Sequence, residues 1–521
     1  MRSHAMKKLL LFWLALVCLI RVEAQQATVS PFVVRGFHLD LRIQVMTMDA
    51  LRTFALNLHN LGINTLIMEW EGTYPFEKHP LISNRYAYTR EQVFSFIKYC
   101  NDLGIDVIPL QQSFGHVEYI LRNDRYKELR EDQKDFSQVC PLQTALDSAL
   151  FTDLYTDLAS THTSKYIHIG GDETYLLGHD ERCRQAAEKE GKSKLYIDYI
   201  RMLCNIVIRL GKTPVLWADI ALKYPDAIKL LPKGTVFIDW NYGWDMNHFG
   251  DHQKLLRSGY EIWGAPALRS SPDNYYLTEW EKHFKNIRDF IPAAEKMGYK
   301  GIVMTSWSTS GQYSPVFESE DEMIEEYAIR HVYPLSGFNM LLTAYAEAIR
   351  STKPLDIRSF VTRYCAGKYG LGAADAAKFW EALTLAPYTI HAGKVESKQS
   401  MTMKQLVDSA SLALQLLTET EPLKNDEEFQ HYRIMACIRL YYVRFHEILE
   451  RINSPGFTIA EKPQVIADLQ KLITDDKIIS SWFAGINKDF LYPEEITEEN
   501  DLRTERIKLL YNRLSRNTQV Q

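Results

Sequence analysis

Two carboxylates stand side by side, Asp172 and Glu173, in the stretch YIHIGGDETYLLG (166–178). Adjacent acids can serve one ligand as proton donor and charged partner, provided both can be aimed at it. In a regular strand neighbouring side chains point to opposite faces, so the strand must end or kink before the pair can converge. Gly170 and Gly171 permit the kink, because glycine adopts backbone angles that other residues avoid. The stretch reads as a strand that stops in order to present two acids.

The elements that would position this pair recur along the chain. Apolar, β-rich runs stand at FVVRGFHLDL (32–41), NTLIMEW (64–70), DVIPLQQ (106–112) and YIHIGG (166–171). They continue at TPVLWAD (213–219), TVFIDWNY (235–242), YEIWGAP (260–266) and GIVMTSW (301–307). Amphipathic stretches lie between them, such as DALRTFALNLHNLG (49–62) and REQVFSFIKYCNDLG (90–104), both ending in the glycine of a helix stop. Strands apolar throughout, alternating with helices, predict parallel pairing with both faces covered. Eight such units predict a closed (β/α)8 barrel, of class α/β. A doubly wound open sheet is the alternative, but no GxGxxG follows the first strand.

Active sites of such barrels lie at the C-terminal ends of the strands. Arg35 and Asp40 lie on strand one, and Glu69, Trp70 and Glu71 end strand two. His116 and Glu118 follow strand three, and Asp172 and Glu173 end strand four. Trp217 and Asp219 end strand five, Asp239, Trp240 and Tyr242 strand six, Trp263 strand seven and Trp307 strand eight. Five of the ten tryptophans are thus expected on one rim, where core packing alone would scatter them. Trp with carboxylates suits a sugar: aromatic faces stack on a pyranose while acids, Arg and His hold its hydroxyls.

From 338 to 521 the pattern is helical, as in MKQLVDSASLALQLLTET (403–420) and EFQHYRIMACIRLYYVRFHEILERI (428–452). The second is apolar around much of its circumference, which predicts burial between other helices, with its Met and Tyr residues in the core. The predicted division is a leader (1–24), a catalytic barrel (25–337) and a C-terminal all-α domain (338–521).

Net charge is −6 with no basic block, which argues against a nucleic-acid partner. At the N-terminus Lys7 and Lys8 precede the apolar run LLLFWLALVCLI (9–20), and VEA (22–24) offers a cleavage site. That run suits a signal peptide and is too short to span a bilayer. Val17 before Cys18 disfavours lipidation, so soluble export to a periplasm or the exterior is expected. Cleavage would leave six of the seven cysteines, none spaced as CxxC or clustered with His as a zinc site. Buried thiols are expected for most; one disulfide is open, and spacing does not assign it.

These residues resemble glycoside hydrolase family 20, the β-N-acetylhexosaminidases, from about residue 35 to 307. HIGGDE (168–173) is the most specific motif, and RGFHLDLR (35–42) is similar to the family's first-strand pattern. IPLQQSFGHVEYIL (108–121) and PVLWAD (214–219) look like the hexosaminidase D-like branch. The resemblance implies a retaining, substrate-assisted reaction without metal or organic cofactor, in which the sugar's 2-acetamido oxygen attacks the anomeric carbon. Glu173 would then protonate the leaving oxygen and later activate water, while Asp172 orients the acetamido group. The charge on Asp172 is expected to help raise the Glu173 pKa. By the same resemblance Arg35 binds outer hydroxyls and His116 lies near the catalytic pair. Trp217 and Trp307 wall the acetamido pocket, Trp240 and Trp263 contribute or merely pack, and Tyr242 reaches the acetamido oxygen. The substrates implied are glycans with terminal β-linked GlcNAc or GalNAc.

Two stretches depart from the family pattern. MEWEGTYPFE (68–77) replaces an HxxDD-like motif, so Glu69 or Glu71 would supply the missing acid. WSTSGQYSPVFE (307–318) lacks a Trp-x-Glu, which leaves the preferred C4 configuration open. Two other functions compete: a sugar-binding protein without turnover, and a glycosidase using Asp219 or Glu69 as protein nucleophile.

Overall fold

The computed structural model describes residues 30–224, 226–270, 273, 278–308, 332–385 and 401–516, with the backbone of four short strands at 316–317, 326–327, 389–391 and 394–396. The expected leader and most of 307–318 lie outside the described residues.

Parallel strands close on themselves. They are β1 (Val34–Asp40), β2 (Thr65–Glu69), β3 (Asp106–Leu110), β4 (Tyr166–His168), β5 (Thr213–Trp217), β6 (Val236–Trp240), β7 (Glu261–Ala265) and β9 (Gly301–Ser306). A short strand, β8 (Ala267–Arg269), pairs with β9 beyond β7, and β9 pairs with β1 from Val34↔Gly301 to Leu39↔Ser306. Helices such as Met48–Asn60, Arg90–Asp102, Thr144–Thr161 and Lys192–Arg209 connect successive strands. The result is the expected (β/α)8 barrel, followed by a helical region.

Local signals explain these elements. Thr47 caps the Met48–Asn60 helix by accepting from the Ala50 amide, and Thr89 forms a capping box with Gln92. Both helices give way to glycines, Gly62 and Gly104, at φ +75°. Every second strand residue faces the lumen, where Ile67, Ile108, Val215, Ile238, Trp263 and Val303 form an inner core. Their neighbours, such as Phe37, Leu66, Met68 and Val107, pack outward against the helices.

Beyond the barrel, the Asp426–Asn453, Lys462–Asn487 and Pro493–Arg516 helices pack in succession. The first buries Phe429, Tyr432, Ile434, Ile438, Val443 and Phe445, as its apolar circumference predicts. The helical region is tied to the rim behind β1. Met46 bridges Leu491, the Thr47 amide donates to the Phe490 carbonyl at 3.0 Å, and the Gln44 amide donates to Glu495 at 3.2 Å. Buried Arg269 joins the same seam, donating to Gln44 Oε1 (2.9 Å), the Tyr333 carbonyl (2.8 Å) and Ser306 Oγ (2.8 Å).

Candidate active site

The chain leaves β4 through Gly170 and Gly171, at φ +72° and +91°. The Gly170 amide donates to His168 Nδ1 (3.0 Å), and Tyr196 donates to the Gly171 carbonyl (2.9 Å). A Cβ on Gly170 would lie 2.0 Å from Gln112 Oε1, so the turn has no room for a side chain. The anticipated kink is therefore present, and Glu173 completes it at φ +46°.

Asp172 and Glu173 then point into the rim with unequal exposure. The Asp172 side chain is 7% exposed and that of Glu173 32%. His116 Nε2 stands between them, 3.5 Å from Asp172 Oδ2 and 3.2 Å from Glu173 Oε2. Tyr175 donates to Glu173 Oε1 at 3.0 Å, and the Glu173 amide donates to Asp219 Oδ2 at 3.2 Å. His116 itself sits at φ +56°, and a Cβ on its neighbour Gly115 would lie 2.6 Å from the Asp172 carbonyl. The glycine of FGH thus lets this loop meet the backbone of the acids.

Burial disfavours a charged His116, but the Asp172 carboxylate beside it, with Glu173, raises its pKa well above the ordinary value. Burial would raise Glu173; the hydrogen bond and charge of His116, with Tyr175, outweigh it and hold the carboxyl below its usual range. The expected elevation of Glu173 is thereby corrected: His116, not Asp172, dominates its surroundings. Asp219 is pushed up to about 7 by burial and by the charge of Asp172.

A second polar group gathers at the ends of β1 and β2. Arg42 Nε lies 3.3 Å from Asp40 Oδ1 and 3.6 Å from Glu71 Oε1, and its Nη2 lies 3.6 Å from Glu69 Oε1. Its guanidinium is 5.3 Å from the centroid of the Trp307 ring. Asp40 also accepts from the amide and hydroxyl of Ser308 (2.9 and 2.8 Å). Glu69 accepts from Gln112 (3.0 Å) and pairs with His38 (2.8 Å). Burial opposes its charge, yet Arg42 and His38 bring it down to about 2. Burial pushes Glu71 well above the carboxylate range; Arg42 opposes this, and Glu69 and Asp40 add to it.

Aromatic groups close the other side. Trp217 is fully buried, its ring 5.9 Å from that of Trp307 and 4.5 Å from that of His168. Trp307 donates to the Tyr242 hydroxyl at 2.8 Å, and Trp240 packs on Tyr242 with centroids 5.1 Å apart. Charged groups thus come from the ends of β1 to β4, with Asp219 added after β5, and the indoles from β5, β6 and the residue after β9.

The structure brings together Asp172, Glu173, His116, Asp219, Glu69, Trp217, Trp240, Tyr242 and Trp307 on this rim. Four expected rim residues lie elsewhere. Asp239 follows the inward Ile238 and so turns outward, accepting from the Tyr299 hydroxyl (2.6 Å) and pairing with His252 (2.9 Å). Arg35 stands at the start of β1 on its outer face and donates to the carbonyls of Gly62 (2.9 Å) and Phe32 (3.2 Å), at the opposite end of the barrel. Trp70 follows the inward Glu69 and so turns outward, donating to His162 Nε2 at 3.0 Å. Trp263 faces the lumen, but its pairing with Gly301 puts it in the bottom layer, against Tyr166. Arg42 is the arginine of the rim; its signal was the terminal Arg of RGFHLDLR, just past a strand end. Tyr175 carried no periodic signal and stands out only by adjacency to the acids.

Comparison with known proteins places the barrel in a family. Residues 63–358 match the family model described as glycosyl hydrolase family 20, catalytic domain. Bovine (Bos taurus) hexosaminidase D is 26% identical over 301 residues, covering 54% of this chain and 87% of the relative. Human (Homo sapiens) hexosaminidase D is 28% identical over 306 residues, covering 56% of this chain; the match spans 63% of the human protein's length. The X-ray structure of Flavobacterium johnsoniae chitobiase shares the fold, with a TM-score of 0.50 at 15% identity, covering 94% of this chain and 73% of that one.

Proposed function

The chain belongs to glycosyl hydrolase family 20, and from that premise we propose that it is an exported, exo-acting β-N-acetylhexosaminidase, releasing terminal β-linked GlcNAc or GalNAc with retention through an oxazolinium-like intermediate. One observation carries the reading: successive acids at the end of β4 differ in exposure and share His116 between them. The more exposed, Glu173, reaches the leaving oxygen. Asp172, held deeper, faces the acetamido N–H and balances the positive charge that develops as the acetamido oxygen attacks. In this substrate-assisted route the sugar supplies its own nucleophile, an exception to the usual two-carboxylate scheme.

The proton is stored by the pair rather than by Glu173 alone. With His116 charged and Glu173 ionised, they hold one acidic proton across 3.2 Å. It passes through Glu173 to the leaving oxygen as the glycosidic bond breaks; Glu173, ionised again, then takes a proton from the attacking water and returns it to His116. Trp217 and Trp307 wall the acetamido pocket, Tyr242 reaches the acetamido oxygen, and Arg42 serves the outer hydroxyls.

A protein nucleophile is disfavoured by the state of the two acids once nominated for it. Glu69 is engaged by Arg42, His38 and Gln112, and Asp219 Oδ2 accepts from the Glu173 amide. Export rests on the leader-like residues 7–24, and N-terminal sequencing of secreted protein starting near residue 25 would support it. Among the described residues no helix is long and apolar enough to cross a membrane.

Hydrolysis of the aryl β-glycosides of GlcNAc, GalNAc and glucose tests the mechanism. Cleavage of an acetamido sugar without the glucoside supports substrate assistance, and the GlcNAc-to-GalNAc ratio sets the C4 preference. Equal cleavage of the glucoside would sink it and promote a protein nucleophile.

A further inference from the structure

Beside the catalytic rim, Cys140 Sγ lies 3.1 Å from Cys183 Sγ, with both side chains fully buried. Cys140 closes the long loop after β3 that carries His116, and Cys183 lies in the first turn of the Glu181–Glu190 helix, ten residues after Glu173. The two segments are already laced together. Glu131 Oε1 accepts from the amides of Gly178 (2.9 Å) and Asp180 (3.1 Å), and Gln138 Oε1 accepts from the Leu176 amide (3.0 Å). Gln138 also bridges Gly115, the neighbour of His116.

We propose that Cys140 and Cys183 form a disulfide that clasps the His116 loop to the segment carrying Asp172 and Glu173. Glu131, Cys140 and Cys183 could alternatively ligate one cation. The sulfur spacing argues otherwise: two thiolates on a tetrahedral zinc, each at ~2.3 Å, stand about 3.8 Å apart. At 3.1 Å the sulfurs are closer than that, and a small side-chain rotation reaches bonding distance.

The chemistry is thiol–disulfide exchange with a disulfide oxidant, such as oxidised glutathione or a thiol–disulfide oxidoreductase. One cysteine thiolate attacks the oxidant's disulfide, which breaks and releases one thiolate. The second cysteine thiolate then attacks the protein sulfur of the mixed disulfide and expels the other. The chain loses two electrons and two protons; the oxidant gains both and leaves as two thiols. Both sulfurs are buried in the folded chain, so exchange precedes closure of the loop. The resulting ring encloses both catalytic acids.

The full chain, produced in an oxidising compartment of an expression host by a heterologous leader, is digested without reductant after alkylation. This leaves the outcome independent of the chain's own export. One peptide pair joined through Cys140 and Cys183, separable by reductant, is expected; recovery of both as alkylated thiols, or paired with other cysteines, overturns the link. The oxidised protein is also expected to melt about 5 °C above the C140S/C183S variant, with most of that gap lost when the oxidised protein is unfolded, reduced and refolded in reductant. A gap unchanged by reductant counts against a covalent cause. One zinc per reduced chain, released by chelation together with both thiols, would reassign the cluster to a metal.

Discussion

At the scale of residues, the site divides proton handling from charge stabilisation. Glu173→Gln keeps the shape but removes the transferable proton, so kcat on a poorly activated substrate is expected to fall about 10³-fold, with little change in KM. Asp172→Asn is expected to lose about 10²–10³-fold in kcat through the unbalanced charge of the intermediate. His116 has a pH signature. Its pKa is raised by the two carboxylates, so the paired proton persists until pH rises through that raised value, and the alkaline limb of kcat/KM lies above the range of an ordinary histidine. In His116→Asn the proton sits on Glu173 alone and leaves in the carboxylate range, so the limb should move down by at least about one pH unit. A simple loss of folding would lower activity without moving the limb.

Asp219 is read through stability. Its folded pKa, about 7, lies above its unfolded value, so the native state binds the extra proton between pH ~4 and ~7. Stability is therefore lost as pH rises through that window. Asp219→Asn, which keeps an oxygen for the Glu173 amide, should raise stability at pH 8 by about 1–3 kcal/mol and change little at pH 4. Denaturant unfolding at the two pH values measures this.

At the scale of elements, backbone conformation aims the chemistry. Gln44, Glu71, His116 and Glu173 all adopt positive φ, and each follows the C-terminal end of one of the first four barrel strands. Such angles strain non-glycine residues and persist where surrounding contacts enforce them. Gly170→Ala adds a strained φ and a clash with Gln112, and is expected to cost about 2–4 kcal/mol and most of the activity. Thermal unfolding and activity of the one variant report both losses.

Strand order and strand ends were legible because lumen-facing apolar runs alternate with capped helices. The acid pair was legible because two glycines announce a kink. Depth along a strand was harder to read, since a pattern of period two separates inside from outside but not top from bottom. Trp263 satisfies the lumen side yet lies in the lower layer, and Arg35 fails on both counts while Arg42, seven residues on, reaches the rim. The Glu173 environment was misjudged for a different reason: His116 was placed near the pair, but its charge depends on the burial and the carboxylates around it, which sequence spacing does not give.

At the scale of the whole molecule, the helical region braces the barrel where β1 and β9 meet. Arg269 spans that seam, and burial lowers its pKa to about 10. Arg269→Met would leave Gln44 Oε1, the Tyr333 carbonyl and Ser306 Oγ short of a donor, so a loss of about 2–4 kcal/mol is expected in denaturant unfolding. The last helix also walls a cleft of about 900 Å³ whose lining includes Arg42, so the helical region borders the rim at that residue.

The rim's proton-transferring groups, His116, Asp172 and Glu173, follow β3 and β4, whereas its indoles end β5 and β6 and follow β9. Sugar preference can therefore drift through changes around Arg42 and in the later strands while the proton machinery of β3 and β4 stays untouched. A lineage with this layout can diversify its diet without reinventing its catalyst.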